Sequence, residues 1–197
     1  MAEKHKFLRH SRKIVIFAAV FIVLLISGIY AAYYSSPRPQ RGPRSATISS
    51  PLEFAIETDK TEYLQGENVS IQLTLTNIGD EIVSLGWPWQ YMGVRKPSNI
   101  TFAYYVVLSN GTLAYNWSEN RIRLNSILYY TLRPGDNLVG VFIWDQPVRA
   151  QEGDFRLVPA ERGVYSARGY TNEFTLTAGG KTIIMALETP TLSLAII

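Results

Sequence analysis

Two histidines, His5 and His10, both lie in the first ten residues, and none of the 197 residues is cysteine. A Ser-His-Asp triad needs an imidazole beside the serine, and the usual zinc sites need histidine or cysteine ligands, so residues 11–197 can build neither. Catalysis would have to come from paired carboxylates. Asp136, Asp145, Glu152 and Asp154 fall in expected turns and one long loop, where acids commonly face solvent, and no apolar context marks a raised pKa. A serine–lysine dyad would draw on Lys60, Lys96 or Lys181, yet nothing singles out a serine beside any of them. No Asp-x-Asp-x-Asp-Gly calcium loop and no glycine-rich phosphate cradle occurs. The expectation is a protein that is not an enzyme, with no catalytic, cofactor-binding or metal-ligating residue and no cofactor.

Residue types suited to modification and contact are better represented. Asn68, Asn99, Asn110 and Asn116 each open an Asn-x-Ser/Thr sequon, more than nine asparagines placed at random would yield, and they are candidate N-glycosylation sites. The run Gly86-Trp87-Pro88-Trp89-Gln90-Tyr91-Met92 is the most unusual loop. Trp87, Trp89 and Tyr91 are side chains enriched at interface hot spots and at membrane surfaces, and they are candidate partner contacts. The competing role is to plug the open end of a small β-domain. Burial of one tryptophan and exposure of the other requires a turn at Trp87-Pro88, because residues 87 and 89 of a regular strand share a face.

The elements that must position these groups begin with a charge asymmetry. The net charge is +3, but residues 1–44 carry eight Lys/Arg against Glu3, leaving 11 basic and 15 acidic residues in 45–197. That remainder lacks the basic stripe that phosphate contacts require, so no nucleic acid is expected as partner. From Ile14 to Tyr34 there is no charge and no proline; as a helix this stretch reaches about 31 Å, the thickness of a hydrocarbon core. It is longer than the apolar core of a signal peptide and reads as an uncut membrane anchor. Lys4, Lys6, Arg9, Arg12 and Lys13 before it outnumber Arg38, Arg41 and Arg44 after it, which places residues 1–13 in the cytoplasm and the rest outside a plasma membrane. Tyr30, Tyr33 and Tyr34 would sit at the outer headgroups. Ser27 with Ala31, and Gly28 with Ala32, are small residues at i, i+4 suited to packing a second helix. Residues 35–50, rich in proline, arginine and serine, read as a semi-stiff stalk.

Residues 51–197 show period-2 alternation between turn signals and no sustained 3.6-residue period, which predicts an all-β domain, an immunoglobulin-like antiparallel sandwich. Expected strands are Leu52–Glu57, Val69–Thr76, Glu81–Leu85, Phe102–Leu108, Leu113–Trp117, Ile127–Leu132, Leu138–Trp144, Val164–Tyr170, Glu173–Thr177, Thr182–Leu187 and Leu192–Ile197. Asn110-Gly111 suits a two-residue type I′ hairpin turn. Gly163-Val164-Tyr165 suits a tyrosine corner, in which the phenol bonds backbone a few residues upstream.

The run Asp59–Asp80, then SNGTLAYNWS at Ser109–Ser118, LRPGDN at Leu132–Asn137, Trp144 at a strand end and Gly163-Val164-Tyr165 form an ordered series. It resembles the intracellular proteinase inhibitor (BsuPI) family over roughly residues 52–188. The departures are the aromatic loop at Trp87–Met92 and the long stretch Gln146–Arg162; no reactive-site residue of the family can be matched. The resemblance implies a binding module. The expected function is a membrane-anchored extracytoplasmic binding or scaffolding module, a non-catalytic subunit whose partners are membrane lipid and other membrane or cell-surface subunits. Two alternatives are a pilin-like filament or filament-stator component, since archaeal pilins and archaellum parts resemble this layout, and an extracellular protease inhibitor. Against the pilin, Arg12-Lys13-Ile14 lacks the Gly or Ala that pilin processing uses.

Overall fold

The computed structural model describes residues 42–49, 51–88, 90–92, 99–119, 121–150 and 156–197. The anchor Ile14–Tyr34 with its small residues, and residues 35–41 of the stalk, lie outside them. No helix among the described residues is long and apolar enough to cross a membrane.

The described chain is all-β. In order the strands are β1 (Arg44–Ser49), β2 (Leu52–Thr58), β3 (Glu62–Tyr63), β4 (Val69–Asn77), β5 (Val83–Trp87), β6 (Gln90–Met92), β7 (Asn99–Ile100), β8 (Phe102–Leu108) and β9 (Leu113–Asn116). They continue with β10 (Arg123–Leu124), β11 (Leu128–Leu132), β12 (Asn137–Trp144), β13 (Pro147–Arg149), β14 (Leu157–Pro159), β15 (Gly163–Thr171), β16 (Phe174–Ala178), β17 (Lys181–Met185) and β18 (Leu192–Ile196). Three sheets carry the body, ordered β1-β2-β4-β12, β3-β18-β15-β8-β9 and β11-β5-β16-β17. Pairing is antiparallel except for β3 with β18. A small sheet, β10-β6-β7, and the two-stranded arm β13-β14 complete it.

Alternation in β4 sets the inner face of the first sheet. Val69, Ile71, Leu73 and Leu75 are fully buried while Ser70, Gln72, Thr74 and Thr76 are half-exposed, the pattern of a strand with one face on a core. Its register aligns Phe54 of β2 with Leu75 and Phe142 of β12 with Ile71, so the three strands present one apolar surface. Aromatic contacts join this surface to the sheet containing β8: Phe54 with Phe102 at 5.3 Å, Tyr104 with Phe142 at 5.4 Å, and Trp144 with Tyr165 at 5.8 Å. The β15 backbone at Gly169 packs on the Leu73 side chain of β4: a Cβ there would stand 2.2 Å from Leu73 Cδ2, so any larger residue would force that buried leucine to move.

Two local expectations are modified. Asn110-Gly111 does not form a type I′ turn, because only Gly111 has positive φ, at 84°, and type I′ needs it at both central residues. Gly111 N donates to Leu108 O at 2.9 Å and Leu108 N to Thr112 O at 2.9 Å, closing a three-residue loop that ends in a left-handed glycine. Residues 44–49, assigned to the stalk, are strand β1, paired with β2 along their whole length. Its apolar residues are only Ala46 and Ile48; it is held by the ladder and by Arg44, whose guanidinium reaches Glu53 and Glu57, each at 2.8 Å. Tyr165 has the geometry of a corner: 3% exposed, its hydroxyl donates to Glu161 O at 2.8 Å.

Candidate functional site

Several charged side chains of the domain are committed to one another. Besides the Arg44 pairs, Lys60 bridges to Glu67 and Arg149 to Glu119. Glu188 accepts the Tyr105 hydroxyl and stands 3.7 Å from Arg168. Asp59 accepts from Tyr63 Oη at 2.7 Å and from Ser70 N at 3.2 Å. Asp136 accepts Arg133 N at 2.9 Å, closing the Arg133–Asp136 turn. The hydrogen bond from Lys60 holds the Glu67 carboxyl below its ordinary range, and burial pushes the Tyr63 and Tyr104 phenols above theirs. Asp145 is exposed and Lys181 opens β17; Lys96, Glu152 and Asp154 lie outside the described residues. Among the described residues no three acidic or histidine side chains converge to hold a metal.

An open groove of about 560 Å³ is lined by Tyr105, Asn116, Ser118, Arg123, Tyr170 and Glu188, among others. Tyr170 donates to Ser118 Oγ at 2.6 Å, and its ring centroid lies 6.0 Å from that of Tyr105. The groove mixes polar and apolar lining, Ala186 and Leu187 included, and its hydroxyls are already paired.

The sequons separate by environment. Asn68 and Asn110 are exposed, Asn110 accepting Thr112 N at 2.9 Å in its turn. Asn116 is half-buried, and its Oδ1 accepts from Ser118 N at 3.1 Å and Ser118 Oγ at 3.0 Å, with the Tyr170 hydroxyl oxygen 3.1 Å away. Asn99 lies in β7, paired with Met92; its side chain is outside the description.

Of the aromatic loop, Trp87 is in the core. It is fully buried, stacked on Phe174 at 4.6 Å and edge-on to Tyr130 at 5.7 Å and Phe102 at 6.4 Å. This corrects its candidacy as a partner contact, since closing the interior leaves no ring face free. β5 ends at Trp87, Pro88 bends, and β6 opens at Gln90, so no continuous strand links the two tryptophans. Trp89 lies outside the described residues. Tyr91 pairs with Ile100 and Arg123 through its backbone, and its side chain too is outside the description.

Two apolar surfaces escaped the sequence reading. On the β11-β5-β16-β17 sheet, register places Tyr129, Gly86, Thr175 and Ile184 in one row. Tyr129 and Ile184 are each 72% exposed. The Tyr129 ring lies over Gly86, where a Cβ would meet its Cε1 at 3.1 Å, so the ring lies against the sheet with its outer side open. The second surface is the outer face of β12, where Val139, Val141 and Ile143 are all more than half exposed. The available signal was a strand apolar on both faces beside β4, which alternates.

Comparison with known proteins adds a family. No curated protein matches the chain. Among solved structures it is similar to the C-terminal domain of wzt, at 13% identity and TM-score 0.34, covering 84% of each chain. It is also similar to the ApaA protein from Bordetella pertussis, at 9% identity and TM-score 0.34, covering 78% of this chain and 89% of that one. A third is the sporulation control protein Spo0M from Bacillus subtilis, at 12% identity and TM-score 0.32, covering 75% of this chain and 50% of that one. These likenesses are too distant to carry an argument. The family model for intracellular proteinase inhibitor, BsuPI, matches residues 56–164. That span takes in more than half of the chain, running from β2 to the start of β15 and including the Leu132–Asn137 turn and Trp144, and the chain therefore belongs to the BsuPI, intracellular proteinase inhibitor, family.

Proposed function

We propose that this protein is a non-catalytic binding module: an immunoglobulin-like sandwich held outside a plasma membrane by residues 14–34, acting as a subunit of a membrane or cell-surface complex. The observation that carries the binding reading is the row Tyr129, Gly86, Thr175 and Ile184, an exposed tyrosine and isoleucine on an uncovered sheet face. Tyrosine offers large, rigid contact area and is enriched at interface hot spots. Commitment of Glu53, Glu57, Glu119 and Asp136 to ion pairs and a turn supports binding over catalysis. Anchoring is supported by the length and charge flanks of the Ile14–Tyr34 stretch.

The test is a mild-detergent pull-down from native membranes, comparing the wild-type chain with a Tyr129→Ser, Ile184→Ser double variant. Partners recovered by the first and lost by the second are expected, and identical recoveries would overturn the reading. Orientation is checked with an impermeant thiol reagent on intact cells. A cysteine replacing the exposed Ser109 should label, and labelling only of one replacing Ala2 would reverse the topology. The family description favours a second reading, inhibition of a protease. It predicts that a co-purifying protease loses activity on adding the purified wild-type chain and keeps it with the double variant.

A further inference from the structure

We infer that a second copy of this chain adds to β12, the two strands pairing antiparallel about a two-fold axis at Val141. β12 is the outer strand of its sheet, bonded to β4 on one side. Such an edge offers a row of backbone donors and acceptors to another strand, and native proteins usually guard it with charge, proline or brevity. Among the other edges β1 carries Arg44, β3 has two residues including Glu62, and β17 opens on Lys181, while β9 and β11, also without charge or proline, run only four and five residues. β12 runs eight residues, Asn137 to Trp144, with no charge and no proline.

The occupant follows from the register that a two-fold at Val141 imposes. Val141 meets its own copy, and Val139 meets Ile143 of the partner subunit. All six exposed β-branched side chains then form one cross-strand cluster, the pairing that stabilises sheets. The core side takes no part in the joint, since the space over Gly140 is already filled by the chain's own Phe142 and Phe102 rings. Charges agree as well. Asp136 comes opposite the partner's Gln146, and Asp145 opposite the partner's Asn137, so no acid faces an acid. The neighbouring outward residues on β4 are Ser70, Gln72 and Thr74, all neutral. This surface is separate from the Tyr129–Ile184 face, so failure of either reading leaves the other standing.

Absence of native cysteine makes disulfide mapping on the full chain clean. Val141→Cys should give a reductant-sensitive dimer under mild oxidation, since residues facing each other across the axis meet the short Cα separation a disulfide needs. Val139→Cys and Ile143→Cys should each crosslink severalfold less alone, and should crosslink to each other when mixed. Val164→Cys, at an exposed strand position outside both surfaces, is the control for random collision. The pairing is overturned if Val141→Cys stays monomeric while retaining the wild-type circular dichroism and melting temperature. It is also overturned if all four variants crosslink alike, or if Val141→Cys links to a different protein. As a measurement without oxidation, Val141→Lys should lower the mass of the full chain by sedimentation, and an unchanged mass would equally overturn it.

Discussion

The two outer strands of one sheet, β1 and β12, are built on opposite terms. β1 is polar, and what holds it beyond its ladder to β2 is Arg44 clamped between Glu53 and Glu57, with Thr47 Oγ1 donating to Glu188 O at 2.7 Å. β12 drives Phe142 and Trp144 into the core, where they are 3% and 0% exposed, and turns Val139, Val141 and Ile143 outward. One edge is attached by electrostatics and presents charge. The other is attached by burial and presents apolar surface. An edge strand can thus be secured on its inner face or along its outer one, and only the second choice also discourages further strands from joining.

The contrast breaks most visibly at Trp144, the inner anchor of β12. Trp144→Ala removes a fully buried ring, its contact with Tyr165 and the hydrogen bond from Nε1 to Pro147 O at 3.0 Å. Chemical denaturation should show a loss of about 3–5 kcal/mol, whereas a loss under about 1 kcal/mol would mean that β12 is not held by burial. On β1 the corresponding change is Arg44→Ala. Its guanidinium is 43% exposed, so solvent screens both pairs, and the expected cost is about 0.2–1 kcal/mol, shrinking in high salt. A salt-independent loss would show that packing rather than charge holds β1. The smallest effect is expected at Val141→Thr. It keeps β-branching on an exposed face, and at low protein concentration stability should stay within about 0.5 kcal/mol of wild type; a larger loss would place Val141 in the fold rather than on its surface.

Much of this architecture was legible locally. Val69 to Thr76 spells its own burial in strict alternation, and Arg133-Pro134-Gly135-Asp136 spells a turn, with Gly135 at φ 83° and Asp136 N donating to Arg133 O at 2.9 Å. Gly163-Val164-Tyr165 marked the corner that Tyr165 closes on Glu161. β1 was not legible, because RSATIS offers only Ala46 and Ile48 as alternating apolar residues after a proline-rich run, and its ladder and its ion pairs to Glu53 and Glu57 are made with the next strand. The functional surfaces were harder still. Trp87 looked like a contact residue until its packing against Phe174, Phe102 and Tyr130 was seen. Tyr129 looked like one aromatic among many until register set it over Gly86 and in one row with Ile184.

The sequence by itself determined that residues from 51 onward form strands, where most of them run and which family they belong to, because alternation and turn chemistry are properties of neighbouring residues. Tertiary structure alone decided which apolar side chains became core and which were left as surface. Val141 and Ile71 are both β-branched residues in strands paired to each other, yet Ile71 is fully buried and Val141 is 60% exposed. Burial depends on which sheet lies across each face, and that is set by contacts between residues far apart in the chain.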